Sequence, residues 1–146
     1  MSMPADQRLG LDVKRAEQTL LAAKSAAVRA AGLTVPQYAA LLLLSDNPGM
    51  SAAALARGCM VTPQAMTALL KTLDERGLVT RTPHPWHRAI LETRLTPDGT
   101  KALRAADKRA VAIEQRITDA FTPEERETLR SLLTRFRAAV ERDEEP

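Results

Sequence analysis

Apolar residues recur at three- and four-residue intervals in two long stretches of this chain, and between those stretches the interval breaks up. Leu9, Val13, Ala16, Leu20, Ala23 and Ala27 follow one another at four, three, four, three and four residues. Leu103, Ala106, Ala110, Ile113, Ile117 and Ala120 repeat the rhythm as three, four, three, four and three. Such spacing draws one narrow apolar seam along a helix, and a long narrow seam asks for a partner helix. The chain is therefore expected to be built around two or more long helices that pair. The alanine, leucine, arginine and glutamate background suits this, because these side chains lose little rotamer freedom in a helix.

The segment between the seams reads as short pieces. Gly32 ends the first helix, and Thr34-Val-Pro36-Gln37 forms a capping box for a second, which runs through Leu41 and Leu44 and stops at Asp46-Asn-Pro-Gly49. Ser51 caps a short third helix from Ala52 to about Arg57, where Gly58 is expected to break it. Thr62 with Pro63 behind it starts a fourth, since proline's missing amide costs nothing at the first helical position. Met66, Leu69, Leu70 and Leu73 lie on its core side, Gln64, Ala68 and Lys71 point the other way, and Thr67 sits on the flank. Gly77 ends it. Leu78–Arg81 has strand character, Thr82–His87 is a proline-bearing loop, and Ile90–Leu95 alternates as a second strand would. Thr96-Pro97-Asp98-Gly99 opens the long helix of the second seam. Thr122-Pro123-Glu-Glu125 caps a last helix, with Leu129, Leu132, Leu133, Phe136 and Val140 on one stripe and an acidic tail, Asp143–Pro146, expected to fray.

The 146 residues fit one domain, 1–146, able to bury about 68 to 70% of its unfolded surface. The longest apolar run, Ala39–Leu44, is far short of the roughly 20 residues of a membrane span. No secretory h-region is visible in Met1–Gln7, and the single cysteine, Cys59, excludes an intramolecular disulfide, so a reducing cytoplasm is expected. Net charge is +3, and residues 51–96 account for all of it: six basic residues (Arg57, Lys71, Arg76, Arg81, Arg88, Arg94) against three acidic (Asp74, Glu75, Glu92), with fifteen of each elsewhere. An anionic partner for the middle third is one reading, and ordinary surface variation is the other.

Three short helices followed by a hairpin have the layout of a winged helix-turn-helix. At Leu33-Thr34 to Gln37, Ser51 to Leu55, Thr62-Pro-Gln-Ala-Met-Thr67, Leu73-Asp-Glu-Arg-Gly-Leu-Val79 and Leu95-Thr96-Pro-Asp-Gly99 the chain resembles the MarR family of bacterial transcriptional regulators, over roughly Leu9 to Val140. The fold class expected is mainly α, an α+β winged helix-turn-helix with about six helices and a two-stranded β-wing. The DNA-binding lobe would be 33–97, and helices in 8–32 and 98–142 would form a dimerisation layer. The resemblance implies an obligate homodimer on double-stranded DNA, with the fourth helix in the major groove, the wing along the minor groove, and the first and last two helices interlocked. Leu9, Val13, Leu20, Ile113, Ile117, Leu129, Leu132, Leu133 and Phe136 are the dimerisation residues on this reading.

Residues facing DNA would then be Ser51, Thr62, Pro63, Gln64, Ala65, Thr67, Ala68 and Lys71, with Arg81, His84, His87 and Arg88 from the wing. Gln64 suits adenine N6/N7, Ala65 or the Thr67 methyl suits thymine, and Thr62, Thr67 and Lys71 suit phosphate. The wing departs from the family's common Asp-x-Arg-Arg run: His87 takes the place of the Asp, Arg88 matches the first Arg, and Ala89 replaces the second. This removes the acid that normally braces the wing. Protonated His84 and His87 would add phosphate attraction below about pH 6.5. The same pair has half the ligands of a zinc site and no second pair in the chain, so no metal and no cofactor are expected.

Cys59 reads as a small buried packing residue. No phosphate loop, nucleophile elbow or metalloprotease helix occurs, and two histidines on a loop without an acidic orienter are not a general base, so no enzyme is expected. A helical dimeric adaptor using its winged helix for protein contacts is the alternative to a DNA-binding regulator. Many members of the family release DNA on binding an anionic aromatic compound, and Tyr38 with Lys14 or Arg15 would line such a cleft, unless Tyr38 is simply core. On this reading the chain represses transcription.

Overall fold

The computed structural model describes residues 1–142. The acidic tail lies outside them. After a single 3-10 turn, Ala5–Gln7, the elements are α1 (Leu9–Arg29), α2 (Val35–Asp46), α3 (Ala52–Cys59), α4 (Pro63–Glu75), β1 (Val79–Pro83), β2 (Leu91–Leu95), α5 (Pro97–Asp119) and α6 (Pro123–Glu141). Six α-helices and a two-stranded antiparallel hairpin are the winged helix-turn-helix that the spacing predicts. Two compact units divide the chain, residues 1–110 and 111–146.

In the first unit, the core draws on every element around the helix-turn-helix. Val28 of α1, Leu41 and Leu44 of α2, Leu55 of α3, Met66, Leu70 and Leu73 of α4, and Val79 of β1 are almost wholly buried. Burying each such side chain stabilises the fold by about 1.5 to 3 kcal/mol, so the short helices are held by packing far more than by their own propensity. Threonine and serine set where they start. Thr34 Oγ1 accepts from the Gln37 amide at 3.3 Å while Gln37 Oε1 accepts from the Thr34 amide at 3.0 Å, and Ser51 and Thr62 accept from the amides of Ala54 and Ala65.

Three helix ends close in the same way. After α1, the Leu33 amide reaches the Val28 carbonyl and the Gly32 amide that of Arg29; after α4, Leu78 and Gly77 repeat this with Leu73 and Asp74. After α3, Val61 bonds Ala56 and Met60 bonds Arg57. This is the Schellman arrangement, and it needs a left-handed residue. Gly32 at φ +78° and Gly77 at φ +71° supply it, but in the third case the residue is Met60, at φ 56°. Gly58 therefore does not break α3, which runs two residues past the expected end. A Cβ there would sit 2.6 Å from Leu43 Cδ1, the movable end of a side chain in the contact between α2 and α3. Met60 is 91% exposed and gains no burial for its left-handed strain. Met60→Gly should raise stability by about 1 kcal/mol, offset in part by the unfolded chain's added freedom. A melting temperature equal to or below wild type would show that Met60 is unstrained.

Strand boundaries also differ from expectation. β1 begins at Val79 and runs on through Thr82 and Pro83, paired Val79 with Leu95, Arg81 with Thr93 and Pro83 with Leu91. The tip is thus 84–90, displaced toward β2 from the expected loop at Thr82–His87. Met50, in the loop between α2 and α3, makes an isolated antiparallel bridge to Thr93, with Thr93 N–H to the Met50 carbonyl at 3.1 Å and Gly49 N–H to the Thr93 carbonyl at 2.9 Å.

In the second unit, Thr122 and Glu125 form the expected reciprocal cap of α6, and Arg126 Nε donates to the Thr118 carbonyl at 3.0 Å. No residue of α6 is buried: Leu129, Leu132, Leu133 and Val140 are 38 to 62% exposed, and Phe136 is half-buried. Ile117 is exposed, but Ile113 is already buried within the single chain. That changes its expected place in a dimer seam, because a side chain covered by its own chain has little surface left for a second copy. Leu9 is 70% exposed, and Val13 and Leu20 are half-buried.

Candidate nucleic-acid interface

The outer face of α4 is made by what its inner face excludes. With Met66, Leu70 and Leu73 buried, the 100° turn per residue leaves Pro63, Gln64, Ala65, Thr67, Ala68 and Lys71 exposed together. Thr67 Oγ1 donates to the Pro63 carbonyl at 3.0 Å, so its hydroxyl is folded back onto the helix. Lys71 has no side-chain partner among the described residues. Ser51 and Thr62 use their oxygens as acceptors in caps, yet a hydroxyl that accepts still has its own hydrogen to donate to a phosphate. The face is thus polar, with Lys71 its one unpaired cation among the described residues, and it is flanked by two helix starts whose partial positive charge favours anions.

The basic residues of the middle third do not all remain available. Arg76 packs over Gly32 and donates to Gln37 Oε1 at 3.4 Å, and Arg94 pairs with Glu92 at 2.8 Å with its guanidinium lying against Gly49. Arg81 is half-buried, its Nε without a partner among the described residues. Arg88 is exposed and unpaired among the described residues. It stands on the turn closed by the Ile90 amide and the His87 carbonyl, at the far end of the wing.

Between β1 and β2 the tip builds itself around His84. Its amide donates to the Ile90 carbonyl at 2.7 Å, and its Nδ1 accepts from the amides of Trp86 and His87, both at 3.1 Å. Its Nε2 stands 3.7 Å from Glu92 Oε1. The expected phosphate-facing role of His84 changes accordingly: the ring is turned inward, and a proton on Nδ1 would displace two amides. His87 remains exposed. Trp86, absent from the residues expected to face DNA, is 85% exposed at the same tip. Its position between Pro85 and His87 was the only signal in the sequence.

Two other expectations are clarified. Tyr38 is half-buried against the core and its hydroxyl donates to Asp107 Oδ1 at 2.6 Å, joining α2 to α5, while Arg15 pairs with Asp12 at 3.6 Å and Lys14 is exposed. Cys59 ends α3 and packs against the core, and burial pushes its thiol up, away from the reactive thiolate. No helix among the described residues is long and apolar enough to cross a membrane.

Known proteins resemble the chain over nearly this whole span. The MarR family profile matches residues 31–89. The HTH-type transcriptional repressor Rv2887 of Mycobacterium tuberculosis is 35% identical over 133 residues, 90% of this chain and 96% of the relative. Its crystal structure with p-aminosalicylic acid aligns with a TM-score of 0.68 at 32% identity, covering 88% of this chain and 98% of that one. The transcriptional repressor CouR, bound to a 23-mer DNA duplex, aligns with a TM-score of 0.82 at 28% identity, covering 94% of this chain and 99% of the other. With the helix-turn-helix, the wing and the flanking helices all accounted for at this identity, the chain belongs to the MarR family of transcriptional regulators.

Proposed function

We propose that the chain is a cytoplasmic transcriptional repressor that acts by binding rather than catalysis, as a homodimer on a pseudo-palindromic double-stranded operator. The observation that carries this is the conjunction of α4's exposed polar face with an unpaired Arg88 at the wing tip. Residues 33–97 form the DNA-binding lobe, and 8–32 and 98–142 the dimerisation helices. Exposed Leu9, Ile117, Leu129, Leu132 and Leu133 supply apolar surface that a single chain leaves wet. Two-fold symmetry then sets half-site centres about 10 base pairs apart or a multiple of that. CouR bound to DNA supports the operator, and Rv2887 bound to p-aminosalicylic acid supports release by a small anionic aromatic effector. Such an effector at Tyr38 would compete with Asp107 for the hydroxyl, with Lys14 and Arg15 as countercharges.

The test is a selection of bound duplexes followed by salt titration of Arg88→Ala and Gln64→Ala. Arg88→Ala should weaken operator and random duplex alike and make log affinity against log salt shallower by about one unit per wing. Gln64→Ala should cost about 1 to 3 kcal/mol and relax preference at one position per half-site. Binding of the wild type that does not weaken with salt would remove DNA as the partner.

A further inference from the structure

The geometry points to His84, its Nδ1 accepting and its proton on Nε2, as the positioning residue that shapes the wing tip for DNA. This rests on the reading that the wing meets a duplex. The tip contains one proline, Pro85, and an exposed tryptophan but lacks the acid that would brace it. Its order must come from elsewhere, and His84 Nδ1 is where the tip's hydrogen bonds converge. Nδ1 is separated from Cα by the same number of bonds as the Oδ1 of an asparagine. It therefore accepts from the amides two and three residues on, Trp86 and His87, as an Asx turn does. With the His84 amide on Ile90 and the Ile90 amide on His87, the turn is closed from both sides. Pro85 has no amide to satisfy.

An imidazole nitrogen that accepts two amides carries no proton, so the ring proton is on Nε2. Nε2 faces Glu92 of β2, 3.7 Å away, which is itself held by Arg94 at 2.8 Å; among the described residues the other titratable group against the ring is His87, its centroid 5.4 Å away. Glu92 favours the Nε2 proton in the neutral ring and in the cation alike. What distinguishes the two is Nδ1: protonating it puts a donor against two donors and releases Trp86 and His87. A loosened tip presents Arg88 and Trp86 over many orientations and loses more entropy on docking.

The test uses the full chain and the variants His84→Ala and His84→Asn. Long-range 1H–15N correlation of the free protein near neutral pH should show Nε2–H for His84, with Trp86 and His87 amide protons downfield. Those two resonances should move upfield in His84→Ala and stay in His84→Asn. On a selected duplex, His84→Ala should bind about tenfold more weakly and His84→Asn within about threefold of wild type. Emission of Trp86, the sole tryptophan, should be shielded from acrylamide by duplex in wild type and His84→Asn, and less so in His84→Ala. An Nδ1–H tautomer, His84→Asn as weak as His84→Ala, or His84→Ala as tight as wild type would each overturn the proposal. The tautomer is read without DNA, so failure of the wild type to bind any duplex would count against the proposed function alone.

Discussion

A chain carrying aspartate at both Ile117 and Leu133 should stay folded, run as a 15.9 kDa monomer, and lose operator affinity by about three orders of magnitude. Both residues are exposed in the single chain, at 37% and 44%, so charges there meet water and leave the fold's stability nearly unchanged. In a dimer the same charges would be buried without partners, which is among the costliest changes an interface can suffer. One lobe alone keeps its half-site contacts but loses the second set, and with it most of the margin over random duplex. Sedimentation, circular dichroism and duplex titration on one sample decide the matter. A persistent dimer, or a folded monomer that binds as tightly as wild type, would remove these two residues from the seam.

Gly99→Ala should be the most damaging glycine-to-alanine change in the chain. Thr96 Oγ1 caps the start of α5 by accepting from the Gly99 amide at 3.0 Å, and the Thr96 amide in turn donates to the Leu78 carbonyl at 3.1 Å. That closure draws the first turn of α5 onto the backbone that enters β1. A Cβ on Gly99 would collide with the Leu78 carbonyl, a group that cannot swing aside as a side-chain end can. Overpacking of this kind costs about 3 kcal/mol, a fall of about 10 °C in melting temperature at this chain length. Since the displaced strand is the root of the wing, duplex affinity should fall with it. An alanine variant within about 2 °C of wild type would mean that α5 can move off Leu78.

Features that one short stretch of chain decides were legible in the sequence. Thr34 with Gln37, Thr62 with Pro63, and Thr122 with Glu125 each place a helix start through bonds inside four residues, and all three form as expected. The inner and outer faces of α4 followed from a period of 3.6. What was not legible depends on neighbours distant in sequence. Gly58 looks like a helix end until Leu43 is seen against it, and Met60 carries no local sign of a left-handed backbone. Met50 is one residue of strand, too short to alternate, and only Thr93 reveals it. Charge counting could not tell Arg76 and Arg94, engaged by Gln37 and Glu92, from the unpaired Lys71 and Arg88. Tyr38 could be placed near the core, but its tie to Asp107, 69 residues away, could not.

The strap that Gly49 and Met50 form across Thr93, with the Arg94 guanidinium laid over Gly49, has a mechanical consequence. It fastens the base of the wing to the loop entering α3, so wing and helix-turn-helix pitch together rather than independently. A groove reader with a loosely hinged wing can follow altered helical twist by bending that wing. Here the adjustment must come from rotation of the whole lobe. Inserting one base pair between half-sites, which turns one about 35° against the other, should therefore be tolerated or refused by both contacts at once, as a single step in affinity with no intermediate in which α4 stays seated and only the wing lets go.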